Sequence, residues 1–376
     1  MNFDLTDTQR MLQDTATRLI RERYSFEERN RILASPEGFS REMWALFAEL
    51  GLLGIEIAEE YGGIGGDFQG LAIVLDAFGH GLVVEPFIPT VVLGAGLVSA
   101  IGTADQKDEI LPKVAAGQWF MALAHGEAKS RYSLAHVETT APRSDDGYIL
   151  TGAKSVVLGG DCADVFIVSA RTSGAATDPA GISLFLVERG SPGLEIRSYA
   201  NVDGTRAAEV TLDGVHVRAA QLLGTEGDAY GLIEHAFDRG TAALCAEAIG
   251  VMAALNDITL DYLKTRTQFG VPIGSFQVLQ HRLVDLFVAQ EQAASLAILA
   301  ADRANSADSA DRRRAVSAAK VLAGRSGRLV GQESIQMHGG IGLTKEYNAG
   351  HYFKRLTIID RTFGDTDYHL TRFAAL

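Results

Sequence analysis

The chain is short of cysteine, of positive charge and of long unbroken apolar runs. Only two of its 376 residues are cysteine, Cys162 and Cys245, and they form neither a CxxC pair nor a metal-ligand cluster. That excludes a disulfide framework and a thiolate zinc site. It suits a reducing compartment in which each thiol packs as a small apolar group. Lys and Arg number 34 against 47 Asp and Glu, a formal net charge of −13. Such a surface repels a phosphate backbone, so non-specific nucleic-acid binding is excluded, although a local basic pocket is not. The opening "MNFDLTDTQR" lacks the basic-then-apolar order of a secretory leader. No unbroken apolar run reaches the ~18 residues of a bilayer span. A cytoplasmic chain with no membrane partner is expected. Internal repeats, low-complexity tracts and long polar linkers are also missing.

What is present is an ordinary globular composition, 47% hydrophobic and 22% charged. The length exceeds one simple core and suits two or three packed units. Residues 1–118 read as helical. Thr6 followed by Gln9 fits a capping box, and Met11, Leu12, Ala16, Leu19 and Ile20 follow at helical spacing. The glycines of "EEYGGIGG" interrupt this region, and Pro112 and Gly117 close it. Over 119–225 the period falls to two. "YILTGAKSVVL", "DVFIVSART", "ISLFLVE" and "AAEVTLDGVHV" are β-branched runs between Gly, Asp, Ser and Pro clusters. Over 226–376 long Ala- and Leu-rich helical stretches return. The expected fold is mainly α with a central β-domain, its layers packed against each other rather than wound as a parallel βαβ sheet.

Two stretches could carry chemistry. "KTRTQFGVPIGSFQ" puts Arg266, Gln268 and Phe269 at a helix end before a glycine turn. An arginine beside an amide and free backbone N–H groups can hold a phosphate; the alternative is a capped helix end with a solvated arginine. "ESIQMHGGIGLTKEY" offers the same choice. Gly339 and Gly340 either end a helix in left-handed geometry or let backbone approach a phosphate. His125 and His338 read as partnered boundary residues without metal-ligand spacing, and His216 alternates along a strand.

Together, "EEYGGIGG", the β-unit, "TRTQFGVPIGSFQ", "IQMHGGIG", "EY" and a short closing helix resemble the acyl-CoA dehydrogenases over the whole chain. "AALCAEAIG", "HYFKRLT" and "FGDTDYHL" are similar to the small-subunit type of pimeloyl-CoA dehydrogenase, which pairs with a larger subunit. The resemblance implies an N-terminal helical domain, a middle β-barrel-like domain and a C-terminal four-helix bundle, assembled as a homo- or hetero-tetramer. It implies FAD shared between subunits, an acyl-CoA substrate and an electron-transfer flavoprotein as acceptor. Arg266, Gln268, Phe269, Ile273 and Gln277 fall on pyrophosphate-side positions, and Gln336, Gly339 and Gly340 on a second cofactor loop. The implied reaction is α,β-dehydrogenation, in which a carboxylate removes the α proton.

The chain departs from that pattern where the base belongs. Of the two family positions for the glutamate, one holds Phe363 and the other Gly240. Asp365 and Asp238 lie two residues away, and Glu247 two turns beyond Gly240. Asp365 can instead pair with Arg361 one helical turn back, Asp238 can lie beside Arg239, and Glu247 can be buried and paired. Flavin-side positions are altered too: Val156 and Leu158 replace a tryptophan and a threonine, and His125 stands near a flavin-contacting threonine. Three readings follow. The chain is a subunit whose larger partner brings the base, a self-sufficient enzyme using Asp365, or a silent assembly subunit.

Overall fold

A computed structural model describes residues 4–376. The chain folds into two compact units, which do not follow chain order. One comprises the stretches up to Ile32, Phe68–Val83 and Thr241–Leu376; the other comprises Leu33–Asp67 and Val84–Gly240.

The first unit is helical. Helix α1 (Asp7–Arg23) starts with the expected capping box: the Thr6 hydroxyl accepts from the Gln9 N–H, and the Gln9 side chain accepts from the Thr6 N–H. Leu12, Ala16, Leu19 and Ile20 form its buried stripe, but Met11 is 60% exposed. One residue on a helix is a turn of about 100°, which carries Met11 off the stripe. Helix α2 (Phe26–Leu33) follows; helix α3 (Arg41–Glu49) belongs to the second unit, and helix α4 (Phe68–Gly81) packs on α1. Helix α4 also meets the Thr241–Thr265 part of the long helix α7 (Tyr230–Thr265). A Cβ on Gly79 would overlap the Glu247 carbonyl, and one on Gly250 would overlap the Asp76 carbonyl, so glycine alone permits this approach.

After α7 come α8 (Gln277–Arg303), α9 (Ser309–His338), α10 (Ala349–Arg361) and α11 (Thr366–Ala374). Helices α8, α10 and α11 all pack on α9. The small residues of α9 serve that packing: Gly327 lies against Leu356 of α10 and Gly331 against Phe353. By length and composition, α7 and α8 could each cross a membrane, although neither is an unbroken apolar run. Average composition over a window is a weaker demand than continuity. The most apolar window of α7 is 72% buried in the chain and that of α8 only 22%. Val278, Val284, Phe287 and Val288 of α8 are exposed.

The second unit carries α3, a π-helix (Ile88–Ala95), α5 (Gly96–Ile101), α6 (Ala104–Ala115) and the strands. Strands β1 (Met121–Ala124), β3 (Val165–Arg171), β4 (Ile182–Glu188) and β7 (Leu222–Leu223) form one sheet in the order β1-β3-β4-β7. Strands β2 (Gly147–Leu158), β6 (Arg206–Arg218) and β5 (Leu194–Ala200) form the other, in the order β2-β6-β5. Only β1–β3 is parallel among these pairs. The alternating residues of β2 and β6 (Tyr148, Leu150, Val210, Leu212, Val215, Val217) meet Phe166, Val168, Phe185 and Val187 in one core.

Candidate active site

On the β side, the parallel pairing of Ala124 with Val168 sets His125 beside Ser169. Lys154 of β2 is fully buried, and its Nζ donates to Glu127 Oε1 (2.7 Å), Ser169 Oγ (3.1 Å) and the His125 carbonyl (3.3 Å). Glu127 also accepts from the Glu138 N–H (2.6 Å), the Thr139 N–H (3.0 Å) and the Thr139 hydroxyl (2.7 Å). Burial pushes the Glu127 carboxyl up, but the Lys154 charge and these hydrogen bonds outweigh it and hold the group below its ordinary range. His136 and Glu138 place ligand atoms near Glu127, yet these partners already engage both Glu127 oxygens, which leaves the trio poorly suited to a cation.

Because Lys154 donates to the Ser169 oxygen, the Ser169 hydrogen is free to point at His125 Nδ1, 2.9 Å away. His125 Nδ1 can accept that hydrogen. Burial, and next the Lys154 charge, push its pKa down to about 3, so the ring is neutral. It packs edge-on against Phe237 and is 3% exposed. Of its two ring nitrogens only Nδ1 is engaged in this network; Nε2 is buried with no hydrogen-bond partner among the described residues. Val156, by contrast, is 58% exposed with φ 54°, beside an irregularity in the β2–β6 register. A β-branched residue held there is strained. Val156 and Leu158 offer apolar side chains and no side-chain donor. Near the second family position, Gly240 brings no acid, Asp238 is buried, and Arg239 pairs with Glu56 (2.6 Å).

The helical unit brings the other predicted residues to its surface. Residues past α7 fold into a two-residue hairpin, Thr267–Gln268 against Val271–Pro272, closed by the Ile273 N–H to the Arg266 carbonyl. Sequence reasoning missed these strands, which are too short to show a period. Phe269 sits at the turn with φ 53°, its ring 93% exposed. Arg266 is exposed, and no ion pair or side-chain hydrogen bond holds its guanidinium among the described residues. Gln268 is exposed, and its side-chain amide donates to the adjacent Thr267 carbonyl (2.7 Å). Ile273 is half-buried, and exposed Gln277 opens α8. At the end of α9, Gln336, Gly339 and Gly340 are exposed. Gly339 has φ 66° and ψ −144°, not the left-handed helical cap the sequence suggested but a conformation open to glycine alone. A Cβ built on Gly339 or Gly340 would meet nothing within 4 Å. A free guanidinium, an open aromatic and approachable backbone suit the phosphate half of a dinucleotide. On the β side, Val156 and Leu158 offer its ring half no side-chain donor, whereas His125 keeps a buried Nε2 with no hydrogen-bond partner among the described residues.

Phe363, half-buried with φ 60°, occupies the loop between α10 and α11, followed by Gly364. Asp365 is the N-cap of α11 and accepts from the Tyr368 N–H at 2.9 Å. Arg361 Nη1 lies 3.8 Å from its carboxylate, a looser contact than the pairing the sequence suggested. Glu247 is buried and held by Arg355 through two bonds of 2.5 and 2.6 Å. None of the three acids stands free. Two buried lysines, Lys154 and Lys320, escaped sequence reasoning because their partners are distant in the chain.

Comparisons with known proteins agree with this layout. Residues 6–118, 122–215 and 230–375 match the N-terminal, middle and C-terminal domains of acyl-CoA dehydrogenase. The probable acyl-CoA dehydrogenase YngJ of Bacillus subtilis is 30% identical over 92% of this chain and 92% of its own length. Butyryl-CoA dehydrogenase of Megasphaera elsdenii superposes with a TM-score of 0.92 at 26% identity, covering 100% of this chain and 99% of that one. A chain of the ChsE4-ChsE5 complex of Mycobacterium tuberculosis superposes with a TM-score of 0.90 at 26% identity, covering 100% and 98%.

Proposed function

This chain belongs to the acyl-CoA dehydrogenase family of FAD-dependent oxidoreductases, and from that premise we propose that it works as one subunit of a two-component enzyme whose larger homologous partner supplies the base. The observation that carries this reading is Phe363, an apolar ring at the position where the family pattern requires a carboxylate. A base must be a carboxylate in a dry site, where burial raises its affinity for the α proton. Neither Phe363 nor Gly240 can serve.

The chemistry a bound FAD would supply is acceptance of the β hydrogen as hydride. The chain's own share is holding and shielding. Arg266 would neutralise pyrophosphate charge, Gly339 and Gly340 would leave backbone N–H groups open to phosphate, and the Phe269 ring would shield the cofactor. The exposed apolar side of α8 suits a homologous subunit that also keeps water out. An assembly of two different chains, like the ChsE4-ChsE5 complex cited above, fits a chain that keeps the clamp and lacks the base. An electron-transfer flavoprotein is the acceptor this reading assigns. The test is to purify the chain alone and with a homologue that has the glutamate. The chain alone is expected to be colourless, and the pair yellow and bleached by acyl-CoA. A yellow single chain bleached by acyl-CoA would return the base to Asp365. A colourless pair would leave an assembly subunit.

Arg266→Ala is expected to weaken FAD retention by about 1.5–3 kcal/mol, roughly tenfold to 150-fold, as for a charge-assisted contact. The melting temperature should hardly move, since an exposed arginine contributes well under ~1 kcal/mol to folding. Flavin stoichiometry and thermal melts on the purified complex check this. Full flavin content with a lower melting temperature would make the motif a helix end.

Asp365→Asn is expected to leave the complex within about tenfold of its original rate. Asparagine caps a helix as well as aspartate does, so α11 keeps its N-cap. Removing a true base costs on the order of 10²–10⁴ in rate. Single-turnover flavin reduction separates the two, and a thousandfold loss with FAD still bound would identify Asp365 as the base.

A further inference from the structure

We infer that Lys320 is the positioning residue of the loop around residue 363, its ammonium fixing the direction in which the Phe363 ring points. This rests on the reading above that the loop borders the reacting acyl chain, but its test reads the loop itself.

Lys320 is a fully buried residue of α9. Its Nζ lies 3.2 Å from the Asp360 carbonyl, 2.7 Å from that of Thr362 and 2.6 Å from that of Gly364. An ammonium has three N–H donors, and here three carbonyls flanking Phe363 use all of them. The Phe363 carbonyl is taken by a second buried side chain, His369, whose Nε2 is 3.0 Å away. A carbonyl can only accept, so Nε2 carries the hydrogen. His369 Nδ1 then accepts from the Ser317 hydroxyl at 3.2 Å. Ser317 and Lys320 are three residues apart on α9 and so share a face. One face of one helix thus fixes the carbonyls of residues 360, 362, 363 and 364.

The loop needs that hold. Phe363 has φ 60°, a region that bulky residues avoid, and Gly364 has φ 110°. Without four fixed carbonyls, residue 363 would relax to negative φ and its ring would swing to another direction. A surface-packing role alone would not require all three donors of a buried cation to converge on one turn.

The grip depends on charge. Burial pushes the Lys320 pKa down to about 8, against the opposing pull of Cys245 on α7, Asp360 on α10 and Asp365 in the loop. From α11, His369 is neutral, its pKa near 3 through burial and then the Lys320 charge, and Arg372 is the remaining cation acting on it. A neutral amine has two N–H groups for three carbonyls, so deprotonation frees one. The sign for global stability is opposite. Lys320 ionises below its ordinary value of 10.5, so between about 8 and 10.5 the unfolded chain binds more protons. This group's contribution to folding stability therefore rises over that window while its hold on the loop weakens. A purely structural lysine would give no such local loss.

The test is hydrogen exchange by mass spectrometry on the complete protein in its native assembly, corrected for intrinsic rates, with peptides covering residues 361–369. Protection of that stretch is expected to fall about fivefold between pH 8 and 9, following the ammonium fraction, while α9 stays protected. Lys320→Met should be poorly protected at pH 7 and insensitive to pH. If that variant fails to fold, the titration of the unaltered protein decides alone. Flat loop protection across this range, or a Lys320→Met loop as protected as the original, would overturn the inference. Either result leaves the colour and bleaching experiment untouched, so the two readings fail separately.

Discussion

Arg355→Met is expected to destabilise the folded protein by about 3–5 kcal/mol, enough to threaten a domain of ordinary stability. Glu247 and Arg355 are joined by two short bonds, with side chains 5% and 12% exposed. Removing the guanidinium leaves a carboxylate with no cation in a place water hardly reaches. The geometry also decides a functional question. Glu247 is an acid near a vacated base position, but a carboxylate spent on a bidentate arginine is not poised to take a proton from carbon. Chemical denaturation of Arg355→Met, beside Glu247→Leu with Arg355→Met, checks the account. The double variant should recover most of the loss, because two apolar residues leave no charge behind. A single variant within about 1 kcal/mol of the original would show that the pair is solvated and that Glu247 is again a candidate base.

How much of this was legible in the sequence depends on how local each signal is. The capping box at Thr6 and Gln9 was readable because both partners lie within one turn. The change from helical to strand period was readable because many residues repeat it. The N-cap at Asp365 carries a local signal as well, an aspartate between a glycine and a helix, which competes with the pairing to Arg361 one turn back. Gly339 was placed at a helix end, but its ψ of −144° was not readable, since spacing fixes where a helix stops and not how the chain leaves it.

The buried lysines were invisible for a different reason. Lys320 sits in "SAAKVLAG", which reads as a solvated charge on an Ala-rich helix, and its acceptors are backbone carbonyls 40 to 44 residues away. Carbonyls leave no mark in a sequence. The positions of Phe363 and Gly240 carried no signal of their own and acquired meaning only beside the family pattern. A missing carboxylate can be noticed only where one is expected.

Lys154→Met is expected to cost about 3–5 kcal/mol as well, for the same reason in the β-unit: the Glu127 carboxylate would stay buried without its cation. This loss comes with a pH signature. In the unaltered protein the Glu127 carboxyl titrates below its ordinary value of 4.5, because Lys154 and the hydrogen bonds from Thr139 and Glu138 outweigh burial. A carboxyl with a depressed folded pKa contributes stability that is fully present above its unfolded value and lost as pH falls through the folded one. Without Lys154 the burial cost dominates and the folded pKa rises, so the acid limb of stability should move to higher pH. The Ser169 hydroxyl would also lose its lysine donor, loosening the contact that orients His125. Urea denaturation from about pH 3 to 8 on the original protein, Lys154→Met and Glu127→Gln checks this. Glu127→Gln should remove the acid limb altogether, since an amide does not titrate there. An unchanged acid limb in Lys154→Met would mean that the hydrogen bonds alone hold the carboxylate, and that the lysine is present for His125.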